Sequence, residues 1–236
     1  MLTAVLFDLD GTLANTDPLH YQNWQEILRD YGLEIDQAFY KARISGRLNP
    51  LIVQDLLPQL SFEAGQQLAD EKEARFREMG LSLTPLAGLL DLLAWIDTHG
   101  LKKAVVTNAP RENVNFLLNV LKLADTFDAV VLAEEATAGK PDPAPYKLAL
   151  SLLGISPEEA KPLEGRFAIA FEDSRSGIRA SVGAGIYTIG VASTHDPQEL
   201  LEAGAAMVIP DFTDKQLWLL LNSWMETNSS QEASVG

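Results

Sequence analysis

Phe7-Asp8-Leu9-Asp10-Gly11-Thr12-Leu13 places two carboxylates two residues apart, where the apolar run of residues 4–7 gives way to a turn containing glycine. An ionised side chain taken out of water is unfavourable unless it is paired or binds a metal. In open α/β sheets, ligands sit at the carboxyl ends of the strands. The pair therefore reads either as a ligand-binding edge of a parallel sheet or as aspartates that merely cap a turn. The rest of the chain decides between them.

Outward from this stretch, short β-branched or aliphatic runs recur at residues 4–8, 103–107, 129–132, 167–172, 186–190 and 206–209. Helical patterns separate them, among them 89–99 closed by Gly100, 110–121 opened by Pro110, and 143–153 closed by Gly154. Proline in a first turn and glycine after a last turn are the usual helix punctuation. Strands alternating with helices predict an α/β fold, a Rossmann-like parallel sheet with crossover helices. Between the first strand and the next helix, however, residues 16–83 carry no strand pattern. Helices are predicted there at 19–31, 36–42, 50–57 and 62–79, the last rich in Glu, Lys, Arg and Gln and expected to be solvated on one face. The expected organisation is a core of residues 1–15 and 84–226 with a helical-bundle insertion of residues 16–83. Thr84-Pro85-Leu86-Ala87-Gly88 marks a hinge on the return. Residues 227–236, small and polar, are expected to form a disordered tail.

The 236 residues, 47% of them hydrophobic, suffice for one substantial core and at most one small further domain. Thirty-three acidic against eighteen basic residues give a formal charge of −15 with no Lys/Arg cluster, which argues against a nucleic-acid partner. A small phosphorylated substrate stays admissible, because a divalent cation and one or two lysines make a site locally positive. The absence of cysteine removes disulfides and thiolate metal sites. No apolar run reaches roughly 18 residues, so neither a signal peptide nor a membrane span is expected. A soluble cytoplasmic protein is the default reading, with a monomer assumed and the oligomeric state open.

A second acidic pair, in Phe171-Glu172-Asp173-Ser174, ends another apolar run and would meet the first at the same sheet edge. Convergent carboxylates without Cys or His suit a hard cation, and beside a phosphate that cation is usually magnesium. A merely hydrated acidic edge is the alternative. Thr107-Asn108-Ala109-Pro110 closes a strand and opens a helix, offering a hydroxyl and free N–H groups to an anion, or else a simple N-cap. Lys140, in Gly139-Lys140-Pro141-Asp142-Pro143, is stiffened between glycine and two prolines just before a helix. Read alone, that segment is equally a surface turn. No Gly-x-x-x-x-Gly-Lys-Ser/Thr loop supports a nucleoside triphosphatase.

Taken in order, Asp8-x-Asp10-Gly-Thr, Thr107-Asn108, Lys140-Pro-Asp-Pro and Glu172-Asp173-Ser174-x-x-Gly177 resemble the four motifs of the haloacid dehalogenase superfamily. The insertion after the first strand is similar to that of the helical-cap subgroup. The spacing of Asp8-x-Asp10, Thr16, His20 and Trp24 resembles the β-phosphoglucomutase-like, CbbY-like branch. The resemblance implies a Mg2+-dependent phosphatase acting through an aspartyl-phosphate on a small phosphorylated metabolite, a sugar phosphate or sugar bisphosphate. It implies Asp8 as nucleophile and Asp10 as acid and base, its proton affinity raised beneath a closed cap. Magnesium would be held by the Asp8 and Asp173 carboxylates and the Asp10 main-chain carbonyl, with Glu172 in the outer shell. Thr107, the Asn108 N–H and Lys140 would hold the non-bridging phosphate oxygens. The connection Ala160-Lys161-Pro162-Leu163-Glu164-Gly165-Arg166 is longer than expected for this family and has no functional reading.

In the cap, His20 shares a helical face with Trp24 and, on the same resemblance, positions Asp10; a histidine simply packed at the hinge is the alternative. Ile44-Ser45-Gly46-Arg47-Leu48-Asn49-Pro50 resembles the cap loop that reaches into the active site, with Gly46, Arg47, Asn49 and Thr16 as candidate substrate residues. Mutases of the branch place a lysine just before this glycine and an arginine three residues after it; here Ser45 and Asn49 stand in those places. Less fixed charge for a second phosphate favours a phosphatase over a phosphosugar mutase. A catalytically weak binding protein of the same fold, or a dehalogenase with no need of the metal cluster, are the remaining alternatives.

Overall fold

Both faces of the strand carrying Asp8 are apolar, as a central strand of a covered parallel sheet requires. A computed structural model of the chain describes residues 2–156 and 167–232. Six strands, β1 (Leu2–Phe7), β2 (Lys102–Thr107), β3 (Ala129–Leu132), β4 (Phe167–Glu172), β5 (Tyr187–Val191) and β6 (Met207–Ile209), correspond to the six predicted runs. All pair in parallel, in the order β3-β2-β1-β4-β5-β6. The order reverses beside β1, between β2 on one side and β4 on the other, which opens a crevice at the carboxyl ends of these strands.

Alternation along β1 separates the two layers. Val5 and Phe7 face a core built with α5 (Leu89–Thr98), α6 (Arg111–Val120) and α10 (Lys215–Glu232), which contribute Leu92, Leu117 and Leu221. Phe7 stacks on Phe171 at 5.4 Å, and Phe212 meets both rings edge-on. On the other face Ala4, Ala104, Ala168 and Ala170 leave room for α7 (Ala144–Leu152) and α8 (Arg175–Gly183), which bring in Tyr146, Leu150 and Ala180. The short helix α9 (Pro197–Ala203) packs Leu200 against Ile178 of α8. Among the described residues, no helix is long and apolar enough to cross a membrane.

The insertion forms α1 (Asp17–Asp30), α2 (Gln37–Arg43), α3 (Asn49–Leu56) and α4 (Phe62–Met79). These helices bury Trp24, Ile27, Leu28, Tyr40, Ile52 and Leu68 in a cluster of their own, apart from the sheet. Local chemistry starts them: the Asp36 carboxylate accepts from the Phe39 N–H and the Ser61 hydroxyl from the Ala64 N–H, satisfying first-turn donors. The buried Asn23 amide donates to the Lys72 carbonyl at 2.7 Å, tying α1 to α4. On the return, the Leu86 N–H donates to the Leu13 carbonyl at 2.8 Å, so the two connections between insertion and sheet run side by side.

The carboxyl terminus differs from expectation. α10 continues to Glu232, so residues 227–232, expected in a disordered tail, are helical. Asn and Ser are poor nucleators, but extending a helix already anchored by Leu217 and Leu221 avoids the cost of nucleation. Residues 233–236 and the connection 160–166 lie outside the described residues.

Candidate active site

The pleat and register of the sheet bring the catalytic candidates together. Phe7 is paired with both Val105 and Phe171, and the Asp8 N–H continues the ladder to the Phe171 carbonyl at 3.0 Å. Asp8 and Glu172 therefore stand level at the ends of adjacent strands. Lys140, buried in the loop before α7, donates through Nζ to Asp8 Oδ1 at 2.5 Å and to Glu172 Oε1 at 2.6 Å. The Tyr146 hydroxyl donates to the same Glu172 oxygen at 2.5 Å. The Asn108 side chain clamps the backbone of Lys140: Oδ1 accepts from the Lys140 N–H at 3.0 Å and Nδ2 donates to the Lys140 carbonyl at 3.2 Å. The sequence assigned Asn108 only a backbone N–H; its amide is what seats the lysine. Thr107 is buried at the pocket, and its hydroxyl accepts from the Ala109 N–H at 2.9 Å.

Two glycines make this packing possible. Gly11 adopts φ +80°, and a Cβ there would run into the Asp173 carboxylate and the Thr194 hydroxyl. A Cβ at Gly177 would occupy the space of the Glu172 carboxylate, while Ser174 caps α8 by accepting from the Gly177 N–H at 3.0 Å. The Ser-x-x-Gly half of the fourth motif thus exists to let a helix start against a buried acid.

Oxygens of Asp8, Glu172 and Asp173 lie within 4.8 Å of one another, all three residues buried. Three carboxylates face one ammonium. Burial pushes the Asp8 carboxyl up, Lys140 pulls it down and Glu172 pushes it further, leaving it at about 8. Burial, then Asp8 and Glu172, hold Asp173 well above the usual carboxylate range. An all-oxygen site with excess negative charge fits a hard divalent cation, which would restore the ionised forms. Glu172 Oε1 is already committed to Lys140 and Tyr146, which leaves Asp8 and Asp173 as the freer donors.

From the cap side, His20 Nε2 lies 3.3 Å from Asp10 Oδ1 and Nδ1 lies 2.8 Å from Lys72 Nζ. An ammonium only donates, so Nδ1 accepts and Nε2 carries the hydrogen directed at Asp10. The ring stacks on Phe76 at 4.2 Å. Burial acts to raise the Asp10 pKa, but the His20 hydrogen bond, with the Thr16 hydroxyl and the Lys72 charge, outweighs it and the net shift is downward. This reverses the expectation of a raised Asp10, because the donor is aimed at the ionised carboxylate. The Thr16 hydroxyl is buried at the pocket, on the Asp10 side.

Lys72 also donates to Glu73 Oε1 at 2.9 Å. Glu73 accepts as well from Asn49 of α3 and from Asn113 of α6, linking cap to core. Lys72, Glu73 and Asn113 escaped the sequence reading. Their signal was positional: 72 and 73 continue the inward stripe Gly65, Leu68, Ala69, Phe76 of α4. His195, buried with Nδ1 donating to the Asp173 carbonyl at 3.1 Å, was missed too. Trp24 is buried beneath Lys72, its ring 5.9 Å from Nζ, and Gly46 passes close to Ser174. Arg47 lines the pocket, yet its guanidinium donates to Asp55 at 2.8 Å and to the Arg43 carbonyl at 2.6 Å.

A family model described as haloacid dehalogenase-like hydrolase matches residues 5–191. The chain belongs to this family. The haloacid dehalogenase-like hydrolase is 30% identical to validoxylamine A 7'-phosphate phosphatase of Streptomyces hygroscopicus subsp. limoneus, over 91% of this chain and 96% of that protein. It is 32% identical to a phosphorylated carbohydrates phosphatase of Thermotoga maritima, over 89% and 95% of the two chains. Among solved structures, a CbbY variant from Rhodobacter sphaeroides in complex with xylulose-(1,5)bisphosphate superimposes with a TM-score of 0.76 at 26% identity, covering 91% of this chain and 96% of that one.

Proposed function

We propose that this haloacid dehalogenase-like hydrolase is a Mg2+-dependent phosphatase that cleaves a small phosphorylated carbohydrate through an aspartyl-phosphate on Asp8. One observation carries the proposal: at the sheet's switch point Asp8 is paired with Lys140, and Asp10, two residues on, is hydrogen-bonded by a cap histidine. A nucleophile and an acid-base group from one turn thus lie beneath one lid.

In the first half-reaction an Asp8 oxygen attacks phosphorus as the bond to the sugar oxygen breaks, and Asp10 gives that oxygen a proton. In the second, Asp10 takes a proton from water as the water oxygen attacks phosphorus; the bond to Asp8 breaks and phosphate leaves. Asp10 must begin protonated, and a phosphate dianion arriving beside it raises its pKa by like-charge repulsion. The His20 N–H then holds the carboxyl in line with the leaving oxygen. We assign Lys140, the Thr107 hydroxyl and the Asn108 N–H to the non-bridging oxygens. Asp8, Asp173 and the Asp10 carbonyl, with Glu172 in the outer shell, would hold Mg2+, whose positive charge would lower the repulsion between two anions. Residues 16–83 act as the cap that selects the remainder of the substrate.

The test is phosphate release from a panel of phosphoglycolate, hexose, pentose and pentulose phosphates and nucleoside monophosphates, with Mg2+ or chelator. Carbohydrate monoesters should dominate, and both chelation and Asp8→Asn should reduce turnover to background. Turnover that survives Asp8→Asn contradicts the proposal.

A further inference from the structure

We infer that Glu73 makes the distal end of the pocket selective for a carbohydrate bearing a single phosphate, accepting a hydroxyl hydrogen and repelling a second phosphate; the inference rests on the phosphatase reading of the site. Among the described lining residues, the lysines and arginines are Arg47, Lys72 and Lys140. Each is already bonded to a carboxylate: Arg47 to Asp55, Lys72 to Glu73, Lys140 to Asp8 and Glu172. Lys140 belongs to the phosphate that reacts. At the cap end, a second dianion would find Arg47 turned onto Asp55 and Lys72 neutralised by its neighbour.

Glu73 is itself buried and held ionised. Burial acts to raise its pKa, but the charge and hydrogen bond of Lys72, with the Asn49 amide, outweigh that and bring it below its ordinary value. Its Oε1 receives Lys72 and Asn49, which fills both lone-pair directions, whereas among the described residues Oε2 receives only Asn113. One acceptor direction is left on Oε2. An O–H supplies the hydrogen that direction needs; a phosphate oxygen at neutral pH supplies a further negative charge instead. The amides of Asn49 and Asn113 flank the same carboxylate, and amides suit neutral hydroxyls better than dianions. Selection here works by repulsion of the wrong ligand as much as by attraction of the right one.

The experiment measures binding in the Asp8→Asn background, which keeps the pocket while stopping turnover, by calorimetry with Mg2+ present. The probes are two matched pairs: fructose 1-phosphate with fructose 1,6-bisphosphate, and glucose 6-phosphate with glucose 1,6-bisphosphate. The monophosphate of at least one pair should bind tenfold or more tighter than its bisphosphate. Adding Glu73→Gln should shrink that ratio tenfold, through tighter bisphosphate binding and weaker monophosphate binding. Asn49→Lys, which leaves Glu73 in place but pairs it with a new cation, should move the ratio the same way if the glutamine variant does not fold. Equal or tighter binding of the bisphosphates overturns the inference, as does a ratio indifferent to both changes or binding of neither member of either pair. Because binding is read without turnover, an inactive wild-type enzyme that still discriminates would sink the phosphatase reading and leave this selectivity standing.

Discussion

Asp8 and Asp173 are carboxyls that folding pushes toward their neutral forms, and this gives the metal-free protein a distinctive pH response. Between the ordinary value of 3.8 and about 8 for Asp8, the folded protein keeps a proton that the unfolded chain has released. Stability therefore falls as pH rises through that window, because the native state binds more protons than the unfolded one. Asp173, raised in the same direction, adds to the slope. Chemical denaturation in the presence of a chelator, run from pH ~5 to ~8, should show a declining midpoint. Asp173→Asn should flatten the decline, and added Mg2+ should stabilise the wild type most at the alkaline end. A flat or rising profile would remove the argument that these acids await a cation. The residue types of this site were legible in the chain, since two acids ending an apolar strand demand a partner. What could not be read was the direction of the Asp10 shift, which depends on where the His20 hydrogen points.

At the scale of elements, α4 is the instructive helix. Its Glu-, Lys- and Arg-rich composition predicted a solvated face, which it has, but composition conceals that Lys72 and Glu73 sit on the other face. Side-chain exposures of 3% and 11% make them a buried pair, and losing one member of such a pair costs about 3 kcal/mol because the other charge is left uncompensated. Lys72→Met should destabilise by that order and also lower turnover, since the His20 ring loses the donor that fixes its tautomer. Combining Lys72→Met with Glu73→Leu should recover much of the stability while activity stays low, a pattern that a helix merely damaged in its packing would not give. The pH sign here is opposite to that of Asp8. Glu73 is depressed from 4.5, so its contribution is complete above that value and is lost as pH falls through the lower folded one. Strands were legible to within one or two residues because β-branched runs bounded by Gly and Pro leave few choices. The end of α10 was not, because a helix anchored upstream can extend through residues that would never start one.

Across the whole molecule, the strand order explains why four motifs spread from Asp8 to Gly177 meet at one crevice. The crossovers that place β2 on one side of β1 and β4 on the other bring their carboxyl ends to a single crevice, and the insertion after β1 roofs it with α1 and α4. Covered parallel sheet and helical insertion were readable from the alternation of patterns. The contacts across the roof, Asn113 to Glu73 above all, join residues 40 apart that no local pattern connects. What makes this geometry an enzyme is the claim that Asp8 carries the phosphoryl group. The direct measurement is rapid acid quench during the first turnover of the preferred substrate, followed by peptide mass spectrometry. Phosphate should appear on the peptide containing Asp8, decaying as inorganic phosphate is released and missing in Asp8→Asn. Release of phosphate with no protein-bound species, or phosphate found on another residue, would contradict it.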